Sequence, residues 1–193
     1  MDTSAFKETA ETISLHGLGF LQVKLGGNQR LHVWHPGLPR RACFEHSAIH
    51  DHRFGFNSTV LVGMQVNDLY AVYEPGVANV PDTLEPTHQA YLHEGERSQF
   101  GNRPWIPRER VWVPHVNTEL VEAGKTYRML PHVFHATRAG GDGRVATLMT
   151  KIEETSTGAR SLCTIGVEPD VDFDRRQLTE DEMWDVVRDV LGG

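Results

Sequence analysis

Apolar residues recur at every second position along most of this chain, and at helical spacing only near its two ends. Phe6, Ala10 and Ile13 fall four and three apart among polar neighbours, which predicts a short helix over residues 3–14, lying outside a sheet. Strand period then takes over. Residues 20–25 and 30–34 alternate around the turn Gly26-Gly27-Asn28 and read as a hairpin, and residues 59–62 and 65–74 form another around Gly63. Further strands are expected at 42–45, 88–93, 110–116, 118–122, 126–129, 134–138 and 144–152, with a proline-bearing connector at 36–41 and a loop over 75–86. Residues 94–108, with Gly95, Gly101, Pro104 and Pro107 around Phe100 and Trp105, are the longest irregular stretch. They read either as a lid or binding loop or as a surface excursion or dimer contact. Helical period returns at the end, where Thr179-Glu180-Asp181-Glu182 matches a capping box and Met183, Trp184, Val187 and Leu191 follow as a stripe over 179–191.

Nine or ten short strands between helical ends predict an all-β domain, a closed barrel or double-layered jelly roll with its core over about 18–155. At 193 residues a single domain spanning 1–193 is expected, long enough for a sizeable core. A formal charge of −7, with four lysines and no basic run, argues against nucleic acid as a partner. Cys43 and Cys163 lie far apart and show no metal-ribbon spacing, so a reduced, cytoplasmic protein is the default and Cys43 reads as an inert core residue. A polar N-terminus and the lack of a long apolar run argue against secretion and membrane insertion.

The chemistry concentrates in Ser47-Ala48-Ile49-His50-Asp51-His52. Residues two apart on an extended chain share a face, so His50 and His52 can turn both imidazoles to one point. A third ligand is available from Pro131-His132-Val133-Phe134-His135. His135 is the expected donor, with His132, three positions earlier, as the alternative if the register differs. His88, His93 and His115 read as surface histidines, and Arg53 as either an anion-binding group at the mouth or a solvated side chain.

These stretches resemble the cupin superfamily. Gly124 lies eleven positions before His135, as the glycine of the family's second motif does, and His50-x-His52 with the later Gly63 resembles its first motif. The fold implied is a cupin-type double-stranded β-helix. The family's additional glutamate ligand would fall at Phe56 or Asn57, so the implied shell is three histidines without a carboxylate. Within the superfamily this resembles the cysteine dioxygenase branch, whose members hold ferrous iron and add both atoms of dioxygen to a thiol. Two departures leave the substrate open: residues 20–25 lack the arginine with which that branch grips its substrate's carboxylate, and residues 144–152 lack its tyrosine. The separation of His52 from His135 is also longer than the branch shows.

The resemblance therefore implies a Fe(II) dioxygenase acting on a small soluble molecule, with dioxygen as co-substrate, and a homodimer, since cupins commonly pair. Without a ligating carboxylate the metal keeps more positive charge, which favours a thiolate, enolate or phenolate. Lys24, His32, Asn57, Tyr70 and Tyr127 are candidate substrate-binding groups by strand position, although Asn57 reads equally as a turn residue. Two alternatives remain: an isomerase, lyase or hydrolase using Zn, Ni or Mn as a Lewis acid, and a non-catalytic cupin that binds a small ligand.

Overall fold

A computed structural model describes residues 3–76 and 84–192. Among them, twelve strands lie between two α-helices, α1 (Ser4–Thr9) and α2 (Glu180–Leu191). The first sheet contains β1 (Ala10–His16), β2 (Phe20–Leu25), β3 (Gln29–Trp34), β4 (Phe54–Val62), β9 (Thr126–Met129) and β11 (Val145–Glu154), in the order β1-β2-β3-β11-β4-β9. The second is built from two three-stranded pieces. One is β10 (Phe134–Ala139), β5 (Met64–Tyr70) and β8 (His115–Glu122); the other is β12 (Ala159–Thr164), β6 (His88–His93) and β7 (Ile106–Val111). Every paired strand among the described residues is antiparallel, and the two sheets form the double-layered jelly roll that the alternation predicts.

The gap between the two pieces is filled by the histidine stretch itself. His50 and His135 exchange backbone hydrogen bonds of 2.9 Å each; on the other side Leu162 N donates to the Ile49 carbonyl and Asp51 N to that of Arg160, both at 2.9 Å. The segment is extended and acts as a short central strand.

β2 shows why its sequence is apolar on both parities. Leu21, Val23 and Leu25 face outward into a core shared with α2, while Phe20 and Gln22 face the barrel interior. Met183, Trp184, Val187 and Leu191 are the stripe that α2 lays on that sheet, and Trp184 is fully buried. The capping box is present: Thr179 Oγ1 accepts from Glu182 N at 3.3 Å, and Glu182 Oε2 accepts from Thr179 N at 2.7 Å. Gly63, at φ +75°, makes the turn from β4 to β5, where an added Cβ would collide with the Arg144 carbonyl.

Several sequence expectations are corrected. The N-terminal helix stops at Thr9 and the chain continues as β1, because Ile13 and Leu15 gain more by pairing beside β2 and joining its core than by a free helical turn. Residues Ala42–Glu45 form a 3-10 turn and not a strand, tucking Cys43 and Phe44 inward. Cys43 and Cys163, remote in sequence, share one buried cluster. Strand β12 was not expected at all. The loop expected over 75–86 lies largely outside the described residues. No helix among the described residues is long and apolar enough to cross a membrane.

Candidate metal centre

Ser47 anchors the start of the central segment by donating its hydroxyl to the Leu162 carbonyl at 2.6 Å. Alternation then turns His50 and His52 inward and Asp51 the other way. Asp51 is fully buried and accepts from Arg160 N at 2.6 Å and Arg160 Nε at 3.1 Å, with His132 Nδ1 at 3.4 Å. A carboxylate between two imidazoles thus fixes the segment from behind.

His135, on β10 directly opposite, completes a cluster in which one ring nitrogen from each of the three histidines lies within 4.8 Å of the others. The ring centroids are 4.5 Å apart for His50 and His135, 4.9 Å for His50 and His52, and 5.1 Å for His52 and His135. His50 Nδ1 donates to the Ala48 carbonyl and His135 Nδ1 to the Val133 carbonyl, each at 2.9 Å. Those bonds fix the tautomer and leave the Nε2 lone pairs free, as a metal ligand requires. His52 is braced between Phe54, 5.0 Å away and stacked, and Phe56, 5.5 Å away and edge-on.

Burial keeps these rings uncharged. It pulls the His50 pKa down against the opposing bond to Ala48, holds His52 well below the usual histidine range with help from His50 and His135, and pushes His135 down to about 3. Neutral imidazoles suit zinc, copper, iron and nickel alike. Small side-chain rotations would draw three nitrogens at this spacing onto metal bonds of about 2.1 Å, so the donor set fits a metal ion. The structure brings His135, not His132, to His50 and His52. His132 sits at φ +59° with Nε2 against Thr155 Oγ1 at 2.8 Å, turned toward Asp51 and away from the cluster.

Two cavities meet at this cluster, and His16, Leu18, His50 and His52 line both. The inner one, about 110 Å³, is walled by aromatic and apolar side chains, among them Phe20, Trp34, Phe54, Phe56 and Met149, with no acidic residue among the described residues. Among its polar groups, Gln22 Nε2 donates to His32 Nε2 at 3.3 Å and Gln65 Nε2 donates to the Tyr127 hydroxyl at 2.8 Å, while Gln65 Oε1 is buried without a partner. Burial, with Arg30 nearby, pushes His32 down to about 3, and burial raises Tyr127, so both are neutral near pH 7. The outer cavity, about 180 Å³, is formed by the connector around Arg41, the irregular stretch at 97–105, β12 and Arg175.

Of the five candidate substrate groups, His32 and Tyr127 line the inner cavity and Lys24, Asn57 and Tyr70 do not. Lys24 shares the parity of Gln22 but sits one step further along β2, exposed beside Glu11 and Asn28. Asn57 has the outward parity between Phe56 and Ser58, and one position in a strand exchanges inside for outside. Tyr70 packs with Ile49 and Phe134 and against His115 at 5.6 Å. Arg53 pairs outside the cavities with Glu154 at 2.8 Å. His93, expected on the surface, lines the outer cavity, with Nε2 2.9 Å from Ser161 Oγ. His16 went unnoticed because one histidine in an alternating strand carries no signal of its own. Leu18 N donates to its Nδ1 at 3.3 Å, which places the ring proton on Nε2.

No protein-family model matches this chain, and no curated protein matches it. Among solved structures it is similar to hydroquinone 1,2-dioxygenase from Sphingomonas sp. TTNP3 with 4-hydroxybenzoate bound, at 11% identity over 66% of this chain and 61% of that one, with a TM-score of 0.30. It is also similar to Cellulomonas parahominis L-ribose isomerase with L-ribose, at 14% identity over 91% of this chain and 64% of that one, with a TM-score of 0.28. The chain thus spans less than two thirds of either neighbour, and likenesses this distant bring neither reaction nor substrate to it.

Proposed function

We propose that this chain is a metal-dependent oxidoreductase, a mononuclear non-haem Fe(II) dioxygenase of the cysteine dioxygenase-like type, acting on a small soluble substrate with dioxygen. His50, His52 and His135 would hold the ion. The observation that carries the reading is the neutral three-histidine cluster, with no carboxylate in it and with two Nδ1 positions tied to backbone carbonyls, at the mouth of an aromatic cavity. Bound there, ferrous iron would supply open coordination positions at which a chelating substrate and dioxygen meet.

The chain's own groups do the rest. Phe54, Phe56 and Met149 give the inner side of the cluster an apolar wall. Neutral Tyr127 and His32 offer the inner cavity a hydroxyl and a ring N–H, since His32 Nε2 is occupied by Gln22 and its proton is on Nδ1. Asp51 holds the two inward histidines in register from the opposite face.

Elemental analysis of untagged protein purified without added metal, followed by oxygen-electrode screening of thiols, diketones and catechol-like compounds, tests this. Iron near one equivalent with substrate-dependent oxygen uptake is expected, and His52→Ala should lose the iron while keeping its far-ultraviolet spectrum. Full iron content in that variant would defeat the assignment of the ligands. Anaerobic turnover with zinc, nickel or manganese would replace oxygen chemistry by Lewis-acid chemistry.

A further inference from the structure

The outer cavity is lined by five arginines in a protein of net charge −7: Arg41, Arg97, Arg103, Arg160 and Arg175. Among the described residues Asp51 is its one acidic lining residue, and that carboxylate is already engaged by Arg160. Among the described residues, no ion pair involves Arg41, Arg97, Arg103 or Arg175. The neighbouring His16 and His93 are kept neutral by burial and compensate nothing.

Arg41 is the most constrained of the four. Only 6% exposed, it crosses Gly17 so closely that an added Cβ there would sit 2.5 Å from its Nε. Its guanidinium lies 5.4 Å from the Trp105 ring and 5.3 Å from that of Phe173, and Nη2 donates to Asn102 Oδ1 at 2.6 Å. Asn102 is itself fixed by donating to the Val171 and Phe173 carbonyls. Yet Nη1 is buried without a hydrogen-bond partner. The nearby Asp170 carboxylate accepts from Ala42 N instead. Arg97 and Arg103 each give one Nη1 bond to a loop carbonyl, of Gly101 and Gly95, and Arg175 gives Nε to the Leu15 carbonyl, so most of their donors remain available.

A buried guanidinium braced on two rings and left one donor short is costly unless an anion completes it. Arg41 is the buried one of the four; with the half-buried Arg103 and Arg175 and the exposed Arg97 facing the same cavity without a carboxylate partner, the cluster calls for more than one negative charge, and the forked donors of arginine match the oxygens of a phosphoryl group. We infer that the outer cavity is a subsite for a doubly charged phosphoryl group, a phosphate monoester or phosphonate, borne by the molecule whose remainder enters the inner cavity past His16 and His50. The second half of that statement rests on the inner cavity's being the reaction site; the anion subsite does not. Burial first, then the charges of Arg97, Arg41 and Arg30, bring Arg175 down to about 10, a repulsion that a bound dianion relieves.

Isothermal titration calorimetry with inorganic phosphate, acetate and phenyl phosphate at matched ionic strength tests the subsite. Because Arg41 also braces Asn102 and Trp105, the decisive variants are Arg97→Gln and Arg103→Gln, which sit on the irregular stretch. Phosphate should bind with one site, each variant should weaken it roughly tenfold, acetate should bind at least that much more weakly, and phenyl phosphate should bind at least as tightly as phosphate. Affinity should survive His135→Ala, since His135 lines only the inner cavity, so loss of the metal centre and loss of the anion subsite are told apart. Absence of phosphate binding, unchanged affinity in both arginine variants, or acetate binding as tight as phosphate would overturn the subsite. Exclusion of phenyl phosphate while phosphate binds would overturn the claim that the group belongs to a larger molecule reaching inward.

Discussion

Asp51 is the residue whose removal tests most directly how the centre is held. Its side chain is fully buried and its two oxygens take the Arg160 amide at 2.6 Å and the Arg160 Nε at 3.1 Å, with His132 as a longer third partner. Asp51→Ala therefore strands one backbone N–H and one guanidinium at once. Breaking a fully buried pair costs about 3–5 kcal/mol, but Arg160 is 27% exposed and recovers part of its hydration, which brings the expected loss to about 3 kcal/mol. For a chain of this size that is a fall in melting temperature of roughly 6–12 °C. Asp51→Asn keeps an acceptor for the Arg160 amide and should lose about half as much. Metal affinity should fall roughly 10–100-fold in the Ala variant, because the segment carrying His50 and His52 loses its rear anchor while the ligands stay in place. Urea unfolding and competition against a chromophoric chelator measure the two effects. A loss under about 1 kcal/mol with unchanged metal affinity would refute the anchoring argument, since solvent would then be replacing the carboxylate at no cost.

Three further outcomes are expected. His32 and His93 are held near 3 and 4 in the folded protein, below their ordinary value, so unfolding takes up protons below about pH 6.5 and stability falls as pH drops from there toward those values; His32→Gln should remove about 1.4 kcal/mol per pH unit of that slope between pH 6 and 5, seen by urea melts at several pH values. Tyr127→Phe leaves Gln65 Nε2 with only Asn67 at 3.2 Å, and should cost about 1–2 kcal/mol while metal content stays unchanged. Thr179→Ala removes the cap of α2 and should cost about 1 kcal/mol in thermal unfolding, with no change at the metal centre.

What was legible in the sequence follows from which forces act locally. Alternation located most strands, since each has one face toward a core, and the capping box at Thr179 is a contact within four residues. His50 and His52 could be paired in advance because extended parity is a local property, whereas His135, more than eighty positions away, was reached through the resemblance of its glycine spacing to a family motif. β12 escaped because Arg160, Leu162 and Thr164 on one parity and Ser161 and Cys163 on the other give no clean apolar face; its role is to pair with β6 and to hold the central segment. Asn57 and Tyr70 were misplaced by one step of parity, which no composition argument can fix. The arginine chamber was out of reach for a different reason. Arg41, Arg97, Arg103 and Arg175 come from three remote segments, and each alone reads as an ordinary solvated cation.

The placement of His50 between β10 and β12 has a consequence for how the molecule assembles. The second sheet is two separately wound ribbons, and the strip from Ser47 to His52 is the seam that stitches their middle, taking bonds from residues more than eighty positions away on either side. Such a seam is among the last parts to close, because loop entropy must be met before its few bonds form. Closing the barrel and assembling the three imidazoles are then one event, and an ion gripping all three would act as a rivet through the seam, slowing its opening. Amide exchange at His135 and Leu162, compared with and without metal, reads that rivet directly.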